Sequence, residues 1–181
     1  PSEGIWLGVS PEILLRRRVD EYETVSLAGT QEVNKSNVYN WGNKEQIEQR
    51  IVTDQIREIL NQSGADEIRI DGPKSAKAGN VVHLKSKFHF QFKGNRLDLI
   101  SSLHPTAAVA GLPRTESIEL INKTEGHNRR LYTGYIGVNS LTESDIYVNL
   151  RCMQLKDNKL FLYLGGGLTI DSEVESEWEE T

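Results

Sequence analysis

Two pairs of glutamates share one spacing, Glu45 with Glu48 and Glu177 with Glu180. Residues three apart on a helix share a face. Two such faces brought together make an oxygen-rich site of the kind Mg2+ accepts. Glu-x-x-Glu is common on solvated helices, so the spacing gains weight only from its setting. At about 100° per residue, Ile47, Ile51, Val52, Ile56, Ile59 and Leu60 form one broad apolar stripe. Glu48 projects near its middle and Glu45 lies within it, whereas Asp54, Arg57 and Glu58 fall on the other side or its margin. A carboxylate on a buried face is costly unless it is paired, protonated or bound to metal. The plain alternative is a helix at a pocket rim whose carboxylates reach water.

Other residue types point elsewhere or nowhere. A net charge of -5 argues against a nucleic-acid footprint. The one basic run, Arg16 to Arg18, reads as a solvated strand end. A single cysteine, Cys152, excludes an internal disulfide and reads as a small buried residue. Cys/His spacing for zinc is absent. With no long apolar span and no secretory leader pattern, the sequence predicts no membrane partner and a cytoplasmic location.

The elements that must position these groups follow from periodicity and turn chemistry. Strands are expected over residues 4–9, 13–19 and 22–27, a turn over 28–30 and a polar loop over 31–43. A long helix follows, with Asn43 as cap, Gln46 at the capping-box position and Gly64 just past its end. A short strand over 67–70, a loop over 71–80 and an alternating strand over 81–92 come next. Short helices over 96–103 and 114–124 flank a small-residue loop over 104–113. Three strand-like runs, 131–138, 146–155 and 159–164, precede a terminal helix. Strands outnumber helices without regular βα alternation, which favours an α+β fold with large antiparallel sheets. A length of 181 residues fits one domain. The strand under way at Gly4 and the helix just begun at Trp178 give the expectation that both ends are cut, the chain being the C-terminal part of one catalytic domain.

The order of motifs is more specific than any one of them. Ser10-Pro11-Glu12 is followed by Leu27-Ala28-Gly29-Thr30, Glu45-x-x-Glu48, Val82-His83-Leu84 and the loop from His104 to Pro113. Leu131-Tyr132-Thr133-Gly134, Leu150-Arg151, Gly165-Gly166-Gly167 and Glu177-Trp178-Glu179-Glu180-Thr181 come after it. This series resembles the chorismate-utilising enzymes over essentially the whole chain. The loop from His104 to Pro113 is most similar to the isochorismate synthase branch. The resemblance implies a chorismate-binding fold, with large antiparallel sheets and helices packed outside.

It also implies an Mg2+-dependent conversion of chorismate to isochorismate, serving menaquinone or siderophore biosynthesis. Salicylate synthase, the large component of aminodeoxychorismate or anthranilate synthase, and a non-catalytic chorismate-binding module are the alternatives. No glutaminase partner is implied. By resemblance, Glu12 is the general acid that protonates the departing ring hydroxyl, and His83 is a pocket histidine near the substrate ring. Arg151 clamps the pyruvyl carboxylate, with Tyr132 as an added hydroxyl donor. Backbone groups of Gly29, Thr30, Gly165, Gly166 and Gly167 approach carboxylate oxygens. Glu48 and Glu180 hold the metal, with Glu45 and Glu177 as ligands or water-mediated partners. Taken singly, each has a plainer reading: a turn acid at Glu12, an ion-paired strand arginine at Arg151, tight turns at the glycines. Leu164-Gly165-Gly166-Gly167 departs from the family's Ala-Gly-Ala-Gly pattern. The family's water-activating lysine has no match here, so the 181 residues alone are expected to lack turnover.

Overall fold

In the computed structural model, which describes residues 3–10, 12–170 and 172–179, the strands divide between two antiparallel sheets. The larger sheet contains β2 (Ile13–Arg18), β3 (Glu21–Glu32), β4 (Asp66–Ala78), β5 (Val81–Gln91), β6 (Tyr135–Asn139) and β7 (Glu143–Val148). Its strand order is β4-β5-β3-β2-β7-β6. The smaller contains β1 (Ile5–Gly8), β8 (Cys152–Lys156) and β9 (Lys159–Tyr163), in the order β1-β8-β9. The helices are α1 (Asn43–Gln62), α2 (Arg96–Leu103), α3 (Ala107–Ala110), α4 (Arg114–Thr124) and α5 (Val174–Glu179). The α+β expectation with helices outside the sheets holds. No described helix is long and apolar enough to cross a membrane.

Alternation along β5 sets the core. Val82, Leu84, Ser86, Phe88 and Phe90 are buried in turn. Phe88 and Phe90 pack with Val52, Ile56 and Leu60 of α1 and Leu99, Ile100 and Leu103 of α2. Each such side chain contributes about 1.5–3 kcal/mol on full burial, so α1 is fixed in rotation against the sheet. Gly64 ends it as expected: with φ at +78°, it lets Ala65 N–H donate to Leu60 O (3.0 Å) and its own N–H to Asn61 O (3.1 Å).

Several expectations are corrected. The cap of α1 is Gly42, not Asn43, and Gln46 donates from Nε2 to Trp41 O instead of closing a capping box. The centre of the buried stripe is Gln49, in series with Val52, Ile56 and Leu60. Glu48 is only half-buried, at the margin, because Ile47 and Ile51 stand 51% and 40% exposed. Residues 28–30 form no turn: β3 runs on, and its pairing with β5 slips between Ala28 and Gln31. Nor is 71–80 a loop, since β4 continues to Ala78 as an edge strand past a register shift between Asp71 and Lys74. The run 146–155 is two strands. The chain leaves the larger sheet after Val148 and enters the smaller at Cys152.

That crossing is held tightly. Asn149 donates from Nδ2 to Leu131 O (2.8 Å) and from its backbone to Gly134 O (2.8 Å). Val9 N–H donates to Arg151 O (2.9 Å), and Val148 N–H to Glu12 O (3.0 Å). The segment carrying Glu12 therefore runs beside the link carrying Arg151. Cys152 is buried, as expected. Arg16 and Arg18 are ion-paired to Asp145 on the sheet surface.

Candidate functional site

Glu12 stands just before β2 and is 3% exposed. The Thr106 hydroxyl donates to its Oε1 at 3.4 Å. Among the described residues no cation pairs with it. Burial pushes its carboxyl up to about 7, against the smaller lowering effect of the Thr106 hydroxyl. Thr106 was not anticipated as a partner. It lies in the 104–113 loop, and nothing in its local sequence signals a group so distant along the chain.

The other expected residues form a run of neighbours. Arg151 reaches from the crossing to His83, its Nη2 3.1 Å from Nε2. His83 Nδ1 lies 3.0 Å from Gly29 O and 3.3 Å from Thr30 Oγ1. Gly29, with φ at +63°, seats against Glu45: a Cβ there would stand 2.8 Å from Glu45 Cγ and 3.0 Å from the Trp41 ring. This close approach is why the β3 irregularity needs glycine. At the other end of the run, a Cβ on Gly165 would stand 2.6 Å from Tyr132 Oη, and one on Gly166 3.4 Å from Glu177 Oε2. Gly167 meets nothing in this way. Tyr132 is buried, stacked on Tyr163 (5.5 Å between centroids) and overlain by the Arg129 guanidinium. Burial raises its phenol above the usual value. Arg151 is exposed and outside any strand, so the ion-paired strand reading of it fails.

Lys44 closes the run. Its Nζ lies 2.5 Å from Glu177 Oε1, which ties the first turn of α1 to α5. Glu177 is 8% exposed; burial raises its carboxyl, but the Lys44 ammonium and the Ser172 hydroxyl outweigh that and hold it below the usual value. Lys44 was not singled out from the sequence, although its place beside Glu45 was the available signal. Glu45 and Glu48 are half-buried on the same helix. Glu180 lies outside the described residues.

The donor set can be tested against a divalent cation. At the junction of α1 and α5 the Glu177 carboxylate already accommodates a positive charge, the Lys44 ammonium, and carboxylate oxygens are the hard donors that Mg2+ takes. Among the described residues no group of three or more His, Cys, Asp or Glu side chains assembles there. The Glu177 carboxylate is thus of the donor type a hard cation takes, and the described residues do not by themselves assemble a ligand set.

Residues 2–181 match the family model described as chorismate binding enzyme. The chain is 34% identical to the isochorismate synthase MenF of Escherichia coli K12, over 99% of this chain and 43% of that protein. It is 29% identical to isochorismate synthase EntC of the same organism, over 98% and 48%. Anthranilate synthase component 1 of Neisseria gonorrhoeae is 29% identical, over 97% and 38%. The solved structure of Escherichia coli MenF superposes with a TM-score of 0.87 at 33% identity, over 97% of this chain and 43% of that one. The chain thus spans less than half the length of these relatives. With the family model covering nearly every residue and the fold matching that of a relative, the chain belongs to the chorismate binding enzyme family.

Proposed function

We propose that this chain carries the acid and the carboxylate-binding groups of an isochorismate synthase, which isomerises chorismate by moving a ring hydroxyl. The observation that carries the reading is Glu12, a buried carboxyl raised to about 7. A general acid works best with a pKa near the operating pH. Glu12 gives its proton to the departing hydroxyl as the carbon–oxygen bond breaks, and the group leaves as water. Both ring double bonds shift, and a second water adds its oxygen two carbons away and surrenders a proton. Atoms and charge balance, and the product is an isomer. The group that receives that proton has no match among these 181 residues.

The substrate's two carboxylates are met separately. Arg151 binds the pyruvyl carboxylate through its planar fork of N–H donors. Tyr132 adds a hydroxyl, His83 stands beside the ring, and backbone groups of Gly29, Thr30, Gly165, Gly166 and Gly167 approach carboxylate oxygens. Glu48 and Glu180 would hold Mg2+, with Glu45 and Glu177 as ligands or through water. Bound there, the ion would neutralise the ring carboxylate.

The MenF and EntC relatives support this branch, and the Neisseria relative supplies the competing one. Titration of the full protein that contains this chain with chorismate in Mg2+, followed by product analysis by mass, tests it. Chorismate binding with isochorismate as the product supports the reading. Salicylate, or an aminated product in the presence of ammonia, moves the chemistry to a sister reaction. The absence of both binding and product contradicts the reading.

A further inference from the structure

His83 is placed by the period of β5. Ser86, in step with Val82 and Leu84 along β5, takes a hydrogen bond from Gln49 of α1, so that set faces the helical layer and His83 the opposite side of the sheet. There it is 8% exposed, with both ring nitrogens engaged. A guanidinium is always charged and only donates. Arg151 Nη2, 3.1 Å from Nε2, therefore requires a lone pair on that nitrogen. Gly29 O, 3.0 Å from Nδ1, is an acceptor and requires a proton there. One tautomer satisfies both: neutral imidazole, protonated at Nδ1. An imidazolium would direct an N–H at the guanidinium and set two cations side by side. Its other close neighbours, Gly29 and Thr30 on β3 and Ala76 across the pair with β4, are uncharged. Burial first, then the Arg151 charge, hold the ring below its usual pKa, against the Gly29 carbonyl.

Arg151 needs such an anchor. It is exposed, and a free arginine side chain has about 2 kcal/mol of rotamer entropy to lose on binding. One committed N–H fixes the plane of the guanidinium and leaves the remaining donors for a planar anion. We propose that His83 is a positioning residue, not an acid or base: its Nε2 lone pair, set by the Gly29 carbonyl, holds the Arg151 guanidinium in the plane that meets the substrate carboxylate. This rests on the assignment of Arg151 to that carboxylate.

Two measurements separate this claim from the reading on which it rests. Nitrogen NMR of histidine-labelled protein needs only four imidazole rings resolved, with His83→Gln identifying one of them. A ring protonated at Nδ1 and bare at Nε2 at neutral pH is expected, with the Nε2 signal moving in Arg151→Met. A ring bearing a proton at Nε2, or one unmoved by Arg151→Met, overturns the proposal. Chorismate titration of the variants gives the second arm. His83→Leu should weaken binding roughly 10- to 100-fold, and His83→Gln, which retains an acceptor, should recover most of that loss. In an active preparation, KM should rise while kcat and its pH profile hold. Equal losses in both variants, or loss of a limb of the kcat profile, overturn the proposal. If the unsubstituted protein binds no chorismate, the functional reading fails, and the tautomer still decides whether His83 holds Arg151.

Discussion

Glu12 and Glu177 are both buried carboxyl groups, 3% and 8% exposed, yet their surroundings drive them in opposite directions. Glu12 lies beside the core with one hydroxyl partner, and burial leaves it readily protonated near neutrality. Glu177 is buried too, but the Lys44 ammonium and the Ser172 hydroxyl keep it ionised. Burial alone does not assign a role; the partner does. A neutral carboxyl is equipped to donate a proton, and an ionised one to hold a cation. The two sit on different supports, one beside the link between the sheets and the other at the junction of α1 and α5.

The largest expected effect breaks the first half of that contrast. Glu12→Gln keeps the shape and removes the proton, so kcat in an active preparation should fall by about 10²- to 10⁴-fold, with chorismate and Mg2+ affinity nearly unchanged. Steady-state kinetics and calorimetric titration check this. Glu48→Gln attacks the second half: Mg2+ affinity should drop at least about tenfold, whereas Glu58→Gln, on the solvated side of α1, should be nearly silent. Equal effects would dissolve the distinction between the two faces of the helix.

Stability gives a quieter readout with opposite signs. Glu12 has a folded pKa above its unfolded 4.5, so its contribution is fully present below 4.5 and is lost as pH rises through about 7. By linkage the loss approaches about 3 kcal/mol, one pKa unit being about 1.4 kcal/mol. Glu12→Gln should therefore be more stable than the parent at pH 8 and equal to it at pH 4. Glu177 has a folded pKa below its unfolded value, so its contribution is present above the unfolded value and lost as pH falls through the folded one. Lys44→Met should cost about 1–2 kcal/mol at neutral pH and progressively less in acid. Thermal melts across pH check both.

Much of this arrangement was legible in the chain. The alternation of β5, the length of α1 and the cap at Gly64 follow from residue pattern because burial itself enforces them. What could not be read comes from pairing. β4 beyond Ile70 is polar and carries Gly72-Pro73, so it reads as loop. As an edge strand it needs no apolar face and takes its hydrogen bonds from β5. The stripe on α1 was misjudged by one position. Gln49 is polar yet central, because Ser26 and Ser86 take its Nε2 donor at 2.8 and 3.0 Å, and apolar Ile47 and Ile51 are exposed. At the site, four of the residues singled out from the sequence, His83, Gly29, Thr30 and Arg151, stand in direct contact. The contacts that set charge were missed. Thr106 on Glu12 and Lys44 on Glu177 join segments remote in sequence, and residue type alone does not announce them.

The most direct test of the contrast is the ionisation of Glu12 itself. Carbon NMR of glutamate-labelled protein, with Glu12→Gln identifying the signal, follows its carboxyl through a pH titration. A midpoint near 7 is the expected result. A midpoint near 4.5, the value for a free glutamate, would contradict the account and leave the proposed acid without its proton.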